Sequence, residues 1–217
     1  MVSQPTPIVP RTTRGPTRDR ILDAAEHLFS ARGIDATSLR AITTEAAVNV
    51  AAIHYHFGSR EALVREVLAR RVAPVNSERL ARLERLERAA PEKATLEALL
   101  KAFVAPAFEA AATQPDLSRL MGRLFSEPPE RVRGLTQELF EEVMARFHRA
   151  FSAKLAHLDS MEVLDRLRFS VGVMVDVLMQ RHPDDVRGVR GTPGDNLAGL
   201  VAFLAGGFRA PSQVDLP

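Results

Sequence analysis

The sequence predicts an all-α fold, with an N-terminal three-helix domain built on a helix-turn-helix and a larger C-terminal helical domain, about nine helices in all. Three observations carry that expectation. Residues 37–60, TSLRAITTEAAVNVAAIHYHFGSR, read as a short helix, a tight turn and a second short helix. From Pro91 onward every periodic segment has helical spacing, and no run alternates apolar and polar residues as a half-buried strand does. The 217 residues, 46% hydrophobic and 26% charged, are enough for a sizeable core and ordinary for a globular protein.

Residues 1–16 carry Pro5, Pro7, Pro10 and Pro16 with Arg11 and Arg14, a composition expected to form a disordered arm whose arginines could follow a nucleic-acid backbone. The N-terminal domain is expected over residues 17–72. Thr17 is placed as the N-cap of a helix through Ala31, with a core-facing stripe of Ile21, Ala25, Leu28 and Phe29 and Gly33 as its C-cap. Thr37 is placed as the N-cap of the next helix, Ser38 to Glu45. The third helix starts at Val48 or Asn49 and runs to His56, where Gly58 breaks it. Leu39, Ile42, Ala46, Val48, Ile53 and Phe57 point inward. Ser59 caps a fourth helix, which Pro74 is expected to kink or break, because proline removes a backbone donor and clashes with the preceding turn.

The C-terminal domain is expected over residues 73–217. Glu92 to Thr113 forms one helix, kinked at Pro106, and Asp116 caps a short one through Ser126. A long helix follows Pro128-Pro129 to about Leu158, Ser160 caps another to about Arg181, and HPDDVRGVRGTPGD is a loop rich in turn formers. Asn196 to Phe208 is the last helix.

The absence of cysteine excludes disulfides and thiol chemistry. The first residues hold no apolar core of a leader, and no run approaches the roughly 20 apolar residues of a membrane span, so a cytoplasmic protein with no membrane partner is expected. Net charge is +2; residues 1–71 hold 10 Lys/Arg against 7 Asp/Glu, and the remainder 19 against 20. The basic excess lies with the helix-turn-helix, where phosphate contact would need it.

The outer face of the third helix offers Val50, Ala51, His54 and Tyr55, small residues beside two larger polar or aromatic ones. Such a face suits the major groove of DNA, about 12 Å wide. No acidic residue stands between Ala46 and Arg60 to repel phosphate. His54 and His56 do not make a metal site, since helical residues two apart cannot share a face. No paired carboxylates, nucleophile–base pair, metal set or phosphate loop points to an enzyme, and no cofactor or metal is expected.

Residues 17–68, TRDRILDAAEHLFSARGIDATSLRAITTEAAVNVAAIHYHFGSREALVREVL, closely resemble the N-terminal DNA-binding domain of TetR-family transcriptional regulators. The RILDAAEHLF opening helix, the RGIDATS connector, the helix-turn-helix and the HYHFGSREAL exit follow in the family's order. Two positions depart from it: Ala47 stands where the family has Gly in the turn, so a residue with a Cβ takes a left-handed or strained conformation, and Thr43 stands where it has Ala. The resemblance implies DNA contact by Arg18, Thr37, Ser38, Arg40, Thr44, Asn49, Val50, Ala51, His54, Tyr55, His56 and Arg60.

The resemblance also implies a C-terminal ligand-binding and dimerisation domain. Nine of the eleven Phe and five of the six Met follow residue 100. Core filling accounts for many of them; pocket candidates are Phe103, Phe108, Met121, Phe125, Phe140, Met144, Phe147 and Met174, which would favour an apolar or aromatic small molecule. Two late helices would pair with their copies through Leu164, Leu167, Val171, Val175, Leu178, Leu197, Leu200, Val201 and Leu204. The implied function is a homodimeric repressor, released by a small-molecule effector from a palindromic double-stranded DNA operator. The alternative is a helical adaptor that keeps the fold without operator binding.

Overall fold

The structure, a computed structural model, describes residues 16–89, 93–126, 129–179 and 193–212. Nine helices and no strand occur among them, in two compact units divided between Val67 and Leu68. Residues 1–15 of the expected arm and residues 182–192 of the loop expected at 182–195 lie outside the described residues, while 193–195 belong to the last helix.

The first unit holds α1 (Thr17–Arg32), α2 (Leu39–Glu45), α3 (Val50–Phe57) and the start of α4 (Arg60–Arg88). The three short helices pack on one another around Ile21, Ala25, Leu28, Phe29, Ile42, Ile53 and Leu63, all buried. The α1 stripe is therefore the core face that its spacing predicts, while Leu39 and Val48 are only half-buried. Gly33 ends α1 at φ 90° and Gly58 ends α3 at φ 77°, left-handed backbone that glycine adopts without a Cβ penalty.

Besides the Pro115–Ser126 helix, described below, capping differs from expectation at three starts. Pro16, not Thr17, is the N-cap of α1: its carbonyl accepts from the amides of Asp19 and Arg20, and no side chain caps. Ser38, not Thr37, caps α2, its hydroxyl accepting from the Ala41 amide at 3.1 Å. The third is Asp159 at α8, described below. Ser59 caps α4 as expected, through the Ala62 amide at 3.1 Å.

The second unit holds the rest of α4 with α5 (Leu96–Thr113), α6 (Pro115–Ser126), α7 (Pro129–Lys154), α8 (Ser160–Met179) and α9 (Pro193–Arg209). Helix α4 continues through Pro74, contrary to the expected break. Ala73 and Pro74 are exposed, so the lost backbone bond lies on the side where water can replace it. Thr95 caps α5 through the Ala98 amide, four residues later than the predicted start. α6 begins at Pro115, with Asp116 in its first turn rather than before it. At α8 the cap is Asp159 rather than Ser160, its Oδ1 accepting from the amides of Met161 (2.7 Å) and Glu162 (2.9 Å).

Helix α5 is apolar nearly all round and packs against α6, α7, α8 and α9, which makes it the central rod of this unit. A run of rings crosses the core, with centroid spacings of 5.0 Å (Phe103–Phe147), 6.3 Å (Phe147–Phe151) and 4.9 Å (Phe151–Phe208).

Candidate functional site

The turn between α2 and α3 is a complete Schellman closure. The Val48 amide donates to the Thr43 carbonyl and the Ala47 amide to the Thr44 carbonyl, with Ala47 at φ 52°. Asn49 then caps α3, its Oδ1 accepting from the Ala52 amide at 2.9 Å. Thr43 is buried, with its hydroxyl satisfied by the Arg40 carbonyl at 3.0 Å.

This turn holds α3 with Val50, Ala51, His54 and Tyr55 outward; Val50 is 43% exposed and Tyr55 86%. The Tyr55 ring thus presents both an apolar body and a polar hydroxyl to the surroundings. Ser38, Arg40, Thr44 and Asn49 are exposed as well, with Arg40 and Thr44 four residues apart on one face of α2. His54 is exposed and its Nδ1 lies 3.3 Å from the Gly58 carbonyl, while half-buried His56 sits edge-on to Tyr55 at 5.0 Å.

The Thr44 hydroxyl donates to the Arg40 carbonyl at 2.8 Å, and three further expected contact residues are engaged within the unit itself. Thr37 is buried and donates its hydroxyl to the Gly33 carbonyl at 2.8 Å, which withdraws it from any surface. Arg60 is half-buried; its Nη2 donates to the carbonyls of Ile34 and Thr37 and ties the connector to the start of α4. Arg18 is exposed, pairs with Glu66 and lies over the Phe57 ring at 5.5 Å.

The second unit encloses a cavity of about 750 Å³. Its wall takes Phe103, Met121, Phe140, Met144 and Met174 from the pocket candidates. Phe108 and Phe147 are buried in the core and do not line it, because they point into the packed interior of the helices around α5; the Phe125 side chain lies outside what is described. Val171, Val175 and Leu178, expected at a dimer face, are half-buried and line the cavity. Leu167, Leu200 and Leu204 are buried in the chain's own core. Leu164, Leu197 and Val201 are half-buried. Among the described residues, the large apolar side chains that stand open on α8 and α9 are Met161, Phe169 and Phe203.

Residues 21–67 match the family described as bacterial regulatory proteins, tetR family, and residues 101–207 match the tetracyclin repressor-like C-terminal domain. The two matches together cover more than half of the chain. The chain belongs to the TetR family. It is a transcriptional regulator with that family's DNA-binding helix-turn-helix fold. The regulator UidR of Escherichia coli strain K12 is 38% identical over 58 residues, 27% of this chain and 30% of that protein, so under a third of UidR is matched. Among solved structures, the fatty acid degradation regulator FadR from Bacillus halodurans aligns with TM-score 0.68 at 16% identity, covering 90% of this chain and 98% of its own. FadR from Bacillus subtilis, solved with stearoyl-CoA, aligns with TM-score 0.67 at 15% identity, covering 87% and 98%. At such identities the likeness is one of fold.

One feature of this TetR-family chain, the small residues of LVAFLAGGF, was legible in the sequence, and a second, Arg79, was not. A Cβ added at Gly199, Gly206 or Gly207 on α9 would meet nothing within 4 Å, so with exposed Ala202 and Phe203 these glycines form an open face of mostly small residues. Arg79, a cavity-lining residue, was hidden in NSERLARLERLER, which reads as a solvated charge run. The signal was register: Val72, Val75, Arg79 and Leu83 stand at i, i+3, i+7 and i+11, on one buried stripe of α4. Among the described residues no group of three His, Asp or Glu could hold a metal ion, and no helix is long and apolar enough to cross a membrane.

Proposed function

We propose that this protein is a homodimeric repressor that reads a palindromic operator with α3 of each copy and is released by a small, mainly apolar ligand. The carrying observation is the outward face of α3, where Val50, Ala51, His54 and the 86%-exposed Tyr55 stand without a neighbouring carboxylate on that helix. Arg40, Thr44, Ser38 and the exposed amide of Asn49 would hold phosphates and set register, leaving base edges to α3. The basic excess of the N-terminal part favours the same partner.

Dimerisation is supported by the open face of α9, with Gly199, Ala202, Phe203 and Gly206 at helical spacing, and by exposed Phe169 on α8. Two copies related by a two-fold axis would place their recognition helices about 34 Å apart, one turn of DNA. The apolar cavity supports ligand control, and stearoyl-CoA in the B. subtilis neighbour is a precedent for a small molecule bound by this fold. A ligand that binds the DNA-incompetent state better lowers operator occupancy by population shift.

The test is selection from a random double-stranded DNA pool with purified protein, followed by sequencing of the retained molecules. One enriched palindrome is the expected result. Retention without any enriched sequence would overturn the operator reading and favour the helical adaptor.

A further inference from the structure

Arg79 is a buried cation without a buried anion. It is 4% exposed, yet among the described residues no Asp or Glu lies within ion-pairing reach of it, and none lines the cavity that it faces. Burial pushes its guanidinium down to about 10, which still leaves it charged at neutral pH. Leaving a charge in the interior unpaired is costly, and proteins ordinarily avoid it by pairing the charge or excluding it.

The hydrogen bonds of Arg79 do not use up its capacity. Nε donates to the Phe103 carbonyl at 2.8 Å, Nη1 to Asn76 Oδ1 at 2.9 Å, and Nη2 meets the Met174 sulfur at 3.6 Å, a weak acceptor. A guanidinium has five N–H groups in a planar fork, so one on Nη1 and one on Nη2 have no protein acceptor among the described residues. The guanidinium carbon lies 5.3 Å from the centroid of the Phe103 ring, a contact that helps to hold the fork in place. Phe103 and Met174 line the cavity beside it, and much of the remaining wall is hydrocarbon, including Val72, Leu117 and Val143. The other cation at the cavity, Arg168, is exposed and pairs with Asp165 at 3.2 Å.

We propose that the cavity takes an apolar monocarboxylate whose carboxylate is bound by the two remaining N–H groups of Arg79, its hydrocarbon body filling the apolar wall. The inference deepens the ligand-responsive reading above and rests on it. The bound carboxylate supplies the missing counter-charge in the two-pronged geometry that a guanidinium offers. A molecule of the same body without the charge would leave Arg79 unpaired and bind more weakly.

The experiment is isothermal titration of the full chain with dodecanoate and 2-naphthoate, each below its aggregation limit, against the neutral counterparts dodecanol and methyl 2-naphthoate. At least one acid is expected to bind ten-fold or more tightly than its neutral counterpart. Arg79→Met should abolish that preference while retaining neutral binding. Its helical circular dichroism should be retained, while loss of the bonds to the Phe103 carbonyl and Asn76 Oδ1 lowers its melting temperature somewhat. A merely structural arginine would leave the acid–neutral preference intact in Arg79→Met, which overturns the proposal. Neutral probes binding as tightly as acids overturns it too, with the ligand-responsive reading intact. If no probe of either kind binds, both readings fall. Should Arg79→Met not fold, the acid–neutral comparison in the unaltered chain decides alone.

Discussion

The Val48 amide donates to the Thr43 carbonyl over 3.0 Å, and this closure holds the intervening Ala47 at φ 52°. An L-residue with a Cβ costs about 1–2 kcal/mol in left-handed backbone. Glycine would relieve that cost but lose about 0.4–1 kcal/mol through the greater freedom of its unfolded chain. Ala47→Gly is therefore expected to stabilise the helix-turn-helix unit by up to about 1 kcal/mol. Urea unfolding should show a higher midpoint at unchanged slope; a lower midpoint would refute the strain at this turn.

Tyr55 contributes little to the core at 86% exposure, so its removal should separate binding from folding. Tyr55→Ala is expected to keep thermal stability within about 0.5 kcal/mol. Operator affinity should fall about tenfold or more, the scale of one lost base contact. Gel-shift titration on the selected palindrome measures it, and full affinity in the variant would remove α3 from the groove.

Arg60 and Arg40 should behave differently although both are cations of the helix-turn-helix region. Arg60 donates to the Ile34 and Thr37 carbonyls, so Arg60→Ala should lower stability by roughly 1.5–3 kcal/mol, the worth of hydrogen bonds from a charged donor. Arg40 is exposed, and Arg40→Ala should leave melting unchanged while reducing the salt slope of operator binding by about one. Equal melting temperatures for the two variants would contradict the structural assignment of Arg60.

Phe203 is 68% exposed on α9, amid Gly199, Ala202 and Gly206. Phe203→Glu should convert a dimer to a monomer in sedimentation equilibrium with its helical circular dichroism unchanged, since no core packing is lost. A dimer of undiminished affinity would move the interface elsewhere.

The carboxyl of Glu97 on α5 is held below the usual carboxylate range, chiefly by its hydrogen bond from Arg209 on α9. Arg82 (2.7 Å) and Arg85 (3.0 Å) do the same for Glu78. A carboxyl whose pKa is lower folded than unfolded stabilises fully above its unfolded value, about 4.3 for Glu, and loses that contribution as pH falls through the folded value. The melting-temperature gap between the unaltered chain and Glu97→Gln should therefore be present at pH 7 and close as pH drops below about 4. A gap constant across that range would show that the pair does not act through charge.

Much of the first unit was legible from neighbours in sequence. Gly33 and Gly58 end helices, Ser59 caps one, and the α1 stripe is core, each from nearby residues, whereas the left-handed backbone at Ala47 was implied by the family resemblance. At two starts the cap is the neighbour of the expected residue. Ser38 rather than Thr37 and Asp159 rather than Ser160 are the caps, because Thr37 is drawn inside by the Gly33 carbonyl and Asp159 reaches two amides at once.

The sequence by itself thus determined helices, their ends and the helix-turn-helix face, since these follow from a 3.6-residue period and from groups a turn apart. Only tertiary structure decided what each apolar stripe meets. Leu167, Leu200 and Leu204 face the chain's own core, Val171 and Val175 face a cavity, and Phe169 and Phe203 face outward, although all of them lie on apolar helices. The same holds for Arg79, which reads as one more charge in a charged run until α5 and α8 close around it. Periodicity states that a face is apolar; which surface covers it is set by contacts tens of residues away.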